Sequence, residues 1–493
     1  MFTYKKLINF FKQLSIFDEI SSILEWDMAT LMPLKSRSSR IKQIKVLIQR
    51  KNEIFNEIKK LNLFKKINPS KLKKFEKRNF NLMQKEFDIF SNIPSKLMLR
   101  NQKLSVECEG KWREAKKNNN FNIVKKDLTN LFKSIKEKAK ILSDLWGISE
   151  YDALLSLYDQ SFDSEDITKF TTEIESFIKT NYGQFIKNYK QKKILDFDSF
   201  LSEKEQFELS KFIMNKFNFN FNKGRVDTSL HPFCGGFSDD IRITTRFNKK
   251  DFFSSFDALM HETGHALYEF GLPKSLKNQL IGKSGGMSLH ESQSLFIEMQ
   301  ITKTKEFNFF LENLLKKKFN KSSLPWKSKN LFLKRNEIKK SFIRIESDEV
   351  HYPLHIIHRF NIEKKLVNDE KLISFLPDIW NAEFKKIFDL EVNSDNEGCL
   401  QDIHWFSGDF GYFPTYLIGA MIAAQLKNTL NKEVIDINKK IKTGNFKFIT
   451  KWLNEKIHVH GNKFSVDEIL LKASGHKLNP IFYKNHLKNR YLK

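Results

Sequence analysis

Apolar residues recur every three to four positions over long stretches of this chain. Residues 5–24, 124–145, 166–189, 251–270 and 330–366 each keep that period, with polar side chains on the opposite face. This is the signature of amphipathic helices. Pro353 lies inside the last stretch, so a kink or break is expected there. One segment reads differently. Residues 231–247, HPFCGGFSDDIRITTRF, alternate in strand fashion from Ile241 to Thr245, and Gly235-Gly236 offers a turn. The segment ends just before the helix that begins near Asp251. The pattern therefore predicts a mainly α protein with a minor β element. No internal repeat is visible, and no Gly/Ser-rich or Pro-rich linker divides the chain. We expect one large helical unit, in which residues 1–220 form a helical half that covers residues 221–493. The tail, residues 452–493, is amphipathic and charged, and is expected on the outside with an exposed basic end.

Composition narrows the picture. The 493 residues hold 85 Lys and Arg against 59 Asp and Glu, a formal net charge of +26. Nucleic-acid binding needs such charge gathered into a stripe or patch. Here the lysines are spread along the whole chain, in runs at 71–77, 187–193 and 316–318, and Asn, Ile and Phe are abundant beside them. That is a drift of composition rather than a binding face, so no nucleic-acid role is expected; a pull on anionic substrates is. A 40% hydrophobic content with 48 Phe excludes a disordered chain. The longest apolar run, residues 417–424, falls far short of the roughly 20 residues that span a bilayer, so no membrane role is expected. The lysine-interrupted N-terminus lacks a small-residue cleavage site and does not read as a secretory signal. Cys108, Cys234 and Cys399 are odd in number and far apart. They exclude a disulfide framework and fit a reducing, cytoplasmic setting.

The chemistry lies in residues 257–269, DALMHETGHALYE. His261 and His265 stand four apart, on one face of a helix, and can share one metal ion while Glu262 beside them holds a water. Catalytic zinc takes nitrogen and oxygen ligands and keeps one position open. Ala258, Leu259, Ala266 and Leu267 supply the apolar face on which that helix packs. A third ligand must come from further on, because no histidine follows closely behind His265. His290, Glu291 and Glu298 are the candidates. Glu291, 26 residues beyond His265, leaves room for a turn and a second helix and is the preferred choice. His290 would then point elsewhere, toward substrate, and Glu298 reads as a salt-bridged helix residue.

These motifs do not stand alone. His261–His265 is followed by His290-Glu291-Ser292-Gln293. Around them lie HPF at 231–233, DIRIT at 240–244, IRIESDE at 343–349, GCLQDIHW at 398–405 and GYFPTY at 411–416, with Trp26-Asp27 and Met32-Pro33 near the start. In this order the chain resembles the M32 family of metallocarboxypeptidases, of the thermostable carboxypeptidase 1 type. Ser347 and Leu295 depart from the family pattern, at positions not expected to touch a metal.

The resemblance implies an HExxH zincin-like, mainly helical fold with a deep central groove, usually assembled as a homodimer. It implies one Zn2+ per chain, with Co2+ as a possible substitute, held by His261, His265 and Glu291. The substrates implied are peptides with a free C-terminus, shortened one residue at a time. Glu262 would be the general base, and Tyr412 a donor to the developing oxyanion. A guanidinium binds a carboxylate bidentately and keeps its charge, which makes Arg344 the first choice for the chain-end clamp and Arg242 the second. His231 and His404 would line the groove, and Asp402 would orient a histidine. Two other readings compete. An endopeptidase or oligopeptidase could use the same metal site in an open groove, without a clamp. A basic nucleic-acid-binding protein would leave the HExxH unexplained. An inactive scaffold sits poorly with an intact Glu262.

Overall fold

The computed structural model describes residues 2–229 and 233–492. The chain is helical along most of its length, and among the described residues there is one three-stranded sheet. It divides into two compact units, each assembled from three separated segments. The first comprises Met1–Ser91, Lys193–Arg335 and Gly419–Asn479. The second comprises Asn92–Lys192, Asn336–Ile418 and Pro480–Lys493.

The first unit opens with α1, Phe2–Ala29, which packs with the helix Arg37–Lys60. Their shared core is aromatic: Phe10, Phe11, Phe55, Phe64 and Phe80 are all buried in one cluster. Phe55 and Phe90 stack at 4.4 Å. Much of the Phe content thus serves burial, each ring contributing a large apolar area.

The sheet follows, with β1 Gly224–Thr228, β2 Phe233–Phe237 and β3 Asp240–Thr245 in the order β1-β3-β2. β1 runs parallel to β3 and β2 antiparallel to it. Ile241 and Ile243 are fully buried with Arg242 between them, which is the alternation legible in the sequence. The turn is not where Gly235-Gly236 suggested. Both glycines lie within β2, and the chain reverses at Ser238-Asp239. Gly236 is required for a different reason: its φ is +88°, and a Cβ there would lie 1.9 Å from the Asp240 carbonyl oxygen.

Two helices of this unit matter most. Asp251 caps α2, Phe252–Gly271, by accepting from the Ser254 amide at 3.2 Å. Met287–Leu295 forms α3, which continues into π-helical turns over Phe296–Thr302.

The expected helix over 330–366 is broken more deeply than by a kink. Ser328–Arg335 is one helix, residues 336–351 are irregular with a single 3-10 turn at Arg344–Glu346, and α4 then runs Tyr352–Asn368. Pro353 occupies the first turn of α4, where its missing N–H has no intrahelical partner to lose, so it starts a helix rather than bending one.

In the second unit α4 is buried on nearly every side. His355, His358, Arg359 and Glu363 are fully enclosed among Ile356, Ile357, Phe360 and Ile362. At the C-terminal end Lys488 is exposed, as expected of a basic tail, but Arg490 is drawn inward. The Glu349 carboxylate accepts from His486 at 3.0 Å, Arg490 at 2.6 Å and the Tyr491 hydroxyl at 2.9 Å. That buried acid holds Arg490 and His486 against the second unit. The helix α5, Pro414–Glu433, carries the chain from the second unit into the first. No helix among the described residues is long and apolar enough to cross a membrane.

Candidate active site

In the first unit, α2 presents His261 and His265 one turn apart, with ring centroids 4.9 Å apart. α3 brings Glu291 to them. Its Oε2 lies 3.7 Å from His261 Nε2 and 3.5 Å from His265 Nε2. Ligand atoms of the three residues all fall within 4.8 Å of one another, a spacing one metal ion can bridge. Close helix packing makes this possible. A Cβ on Gly264, the residue before His265, would lie 2.3 Å from the Gln293 carbonyl oxygen of α3. A Cβ on Gly419 of α5 would lie 2.8 Å from Glu291 Cγ. Both glycines are needed to let backbone approach.

The other ring nitrogens are held from behind. His261 Nδ1 lies 2.9 Å from Glu298 Oε2, and Glu298 also pairs with Lys303 at 3.3 Å. His265 Nδ1 lies 2.7 Å from His290 Nδ1, whose Nε2 lies 3.0 Å from Glu269. The tautomers follow. If Nε2 of each candidate ligand is to coordinate, each Nδ1 carries the proton, so His290 Nδ1 accepts the hydrogen bond from His265 and His290 Nε2–H donates one to Glu269. Glu298 is therefore more than a salt-bridged helix residue, and His290 faces His265 and Glu269. Glu269 was not singled out from sequence, because nothing in its spacing distinguishes it from an ordinary helix acid.

The electrostatics favour added positive charge. Burial works against the charged form of His261, but Glu291, Glu298 and Glu262 outweigh it and hold its pKa well above the usual value. Burial and the neighbouring His290 push His265 down to about 4. Burial would raise Glu291, yet the two imidazoles hold it well below the carboxylate range. Burial, partly offset by His261 and reinforced by Glu291, raises Glu262 to about 7. Two imidazoles and a carboxylate converge in a pocket that retains a proton strongly; this donor set and charge fit a divalent cation.

The second unit holds another constellation. Arg344 donates to Asp402 through Nη2 at 2.9 Å and Nε at 3.2 Å. Arg359, fully buried on α4, reaches the same carboxylate through Nε at 2.8 Å. Gln401 Oε1 accepts from the Arg344 amide at 2.9 Å and from Arg359 at 2.7 Å. The Arg344 guanidinium lies 4.9 Å above the Tyr416 ring. Asp402 thus orients two arginines and, among the described residues, hydrogen-bonds no histidine, a correction to the sequence reading. The ligand histidines find their partners in Glu298 and His290 instead. Tyr412 packs edge-on to Tyr158 at 5.0 Å and beside His404 at 5.5 Å. Its loop is tied down by Gly411, whose amide donates to Glu363 at 3.1 Å. His404 Nε2 lies 3.1 Å from the Tyr416 hydroxyl.

Of the remaining residues, Arg242 belongs to the first unit. It closes a bidentate pair with Asp240 at 2.7 and 3.0 Å and stacks 4.3 Å over Trp26. His231 lies outside the described residues.

Comparison with known proteins identifies the family. Residues 6–491 match the family model of the Carboxypeptidase Taq (M32) metallopeptidases. Carboxypeptidase 1 of Bacillus subtilis is 32% identical, over 99% of this chain and 98% of its own. Thermostable carboxypeptidase 1 of Pyrococcus furiosus is 30% identical over the same shares. Among solved structures, metallocarboxypeptidase 1 of Trypanosoma cruzi superposes with a TM-score of 0.95 at 31% identity, covering 100% of this chain and 99% of that one. The chain therefore belongs to the M32 family of metallocarboxypeptidases, peptide hydrolases that work with a divalent metal.

Proposed function

We propose that His261, His265 and Glu291 hold the divalent metal, that the ion is zinc, and that peptides are shortened from a free C-terminus. The observation that carries this is the convergence of two Nε2 atoms on one Glu291 oxygen, with both Nδ1 atoms engaged from behind. Borderline nitrogen ligands with one carboxylate suit zinc, and Co2+ is a plausible replacement. When bound, the metal supplies Lewis acidity toward water and the scissile carbonyl. Glu262, enclosed and raised toward neutrality, takes the proton of the attacking water and passes it to the leaving amine. Tyr412 donates to the developing oxyanion.

Arg344 receives the terminal carboxylate. Its Nη1 makes no hydrogen bond among the described residues, while Nε and Nη2 hold it in place against Asp402. Arg242 is the weaker choice, because Asp240 neutralises it. His404, beside Tyr412 and Tyr416, lines the same site in this reading, and His231 is assigned there from its motif alone. We also propose a cytoplasmic homodimer. The three cysteines are all free, which suits a reducing compartment.

The deciding experiment gives the zinc-loaded protein a free-ended peptide and its C-terminally amidated twin, with products followed by mass. Single residues should leave the free end in sequence, and the amide should be a poor substrate. Equal cleavage of both, or early internal cuts, would replace this reading with an endopeptidase.

A further inference from the structure

A carboxylate clamp in a buried setting has a charge problem. A long arginine needs a partner to hold its plane, and the natural partner is a carboxylate. That partner also cancels the charge the clamp needs. Arg344 shows both halves of the problem. Asp402 fixes it through Nε and Nη2, and both side chains are nearly enclosed, at 9% and 11% exposure. Taken alone, this pair is neutral and would attract a substrate carboxylate only weakly.

Arg359 changes the count. It is fully buried and reaches Asp402 Oδ2 through Nε at 2.8 Å and Nη2 at 2.6 Å. Burial pushes its pKa down to about 10, which leaves it protonated at neutral pH. Two guanidiniums thus share one carboxylate, and the cluster carries one unit of positive charge. Glu363, one turn further along α4, acts on Arg359 from a distance, but burial raises it to about 7, its oxygens are engaged by Tyr151, Trp405 and the Gly411 amide, and it makes no ion pair with either arginine among the described residues, so the Arg344–Asp402–Arg359 triad keeps a net positive charge. His404 and His355 are held neutral, chiefly by burial. The surplus can be used only at Arg344. Arg359 is closed in by Gln401, the His355 carbonyl and the Trp380 face, whereas Arg344 Nη1 makes no hydrogen bond among the described residues.

We infer that Arg359 is a positioning residue for substrate: by neutralising Asp402 it lets Arg344 be both rigidly held and positively charged toward a terminal carboxylate. This rests on the proposed role of Arg344 and extends it. Nothing in the sequence motif around Arg344 points to Arg359, because the two meet through Gln401 and Asp402, far from both in the chain.

The test compares Arg359→Met, Arg359→Lys and the double variant Arg359→Met/Asp402→Asn, each loaded with zinc. KM and kcat are measured on a free-ended N-acyl dipeptide, and inhibition by an N-acyl amino acid. Metal content and thermal melting are followed in parallel. Arg359→Met should raise KM and the inhibition constant by roughly tenfold to hundredfold, with kcat changed much less, because one charge is lost from carboxylate binding. The double variant removes one positive and one negative charge together and should recover most of that loss. Arg359→Lys keeps the charge without the fork and should also recover most of it. A double variant no better than Arg359→Met overturns the inference, as does a fall in kcat with KM unmoved. Should Arg359→Met fail to fold, Arg359→Lys still decides: a KM raised a hundredfold despite the retained charge overturns it. Arg344→Ala separates the two readings. If that variant keeps wild-type KM and still prefers free ends, the clamp itself is wrong; if it loses both while Arg359→Met loses neither, only the charge argument fails.

Discussion

Gly264 sits between Glu262 and His265 in the metal helix, and its replacement by alanine sets two effects of opposite sign against each other. Alanine is the better helix former by about 1 kcal/mol in a helix interior. Against this, the new Cβ would lie 2.3 Å from the Gln293 carbonyl oxygen and 2.5 Å from Ser294 Cα. Ordinary contact begins near 3.4 Å, so α2 and α3 must separate by 3.4 − 2.3 = 1.1 Å at that point. Both obstacles are backbone, so no side chain can rotate away. Overpacking of this kind costs about 1–3 kcal/mol and outweighs the gain in propensity. The same separation moves Glu291 relative to His261 and His265, whereas metal ligands tolerate about 0.2 Å. Gly264→Ala should therefore lower the urea midpoint and weaken zinc binding on the order of tenfold or more, read by competition with a chromophoric chelator. Gly110→Ala is the control. Nothing lies within 4 Å of its new Cβ, so it should gain about 0.5–1 kcal/mol. A Gly264→Ala protein with wild-type midpoint and metal affinity would refute the packing argument.

Three further outcomes follow from the site. Glu298→Gln keeps the shape beside His261 but removes the charge, and should weaken metal binding roughly 10–100-fold in a chelator titration without unfolding the chain; unchanged affinity would show that Glu298 is only structural. Glu262→Gln should keep its metal and lose roughly 10²–10⁴-fold in kcat; a near-normal rate would mean that another group activates the water. Burial raises Glu363 from 4.5 to about 7, so between those pH values the folded state holds a proton that the unfolded chain has released. Its contribution to stability therefore falls as pH rises through that window, by roughly 3 kcal/mol at about 1.4 kcal/mol per unit. Glu363→Gln lacks this dependence, so its stability relative to wild type should rise between pH 5 and pH 8; a difference independent of pH would contradict the buried titration.

The helical class, the strand at Ile241–Ile243 and the pairing of His261 with His265 were all legible from residue spacing. Each depends on covalent geometry within one element: a period of 3.6 or 2 places side chains on a common face whatever they pack against. Glu291 could be narrowed to one of three residues, and the surrounding motifs sufficed to recognise the M32 family. The remainder depended on which distant segments meet. The break between Arg335 and Tyr352 was hidden because its apolar residues mimic a helical period while Arg344 is drawn onto Gln401 and Asp402. His261 finds Glu298 at a separation of 37 residues, and Arg344 finds Asp402 at 58. Local propensity carries no information about such pairs. They persist because a buried charge or ring nitrogen left without a partner costs more than a lost contact. The tertiary structure alone decides that Glu298 and His290 stand behind the two histidines, and that a second arginine shares Asp402.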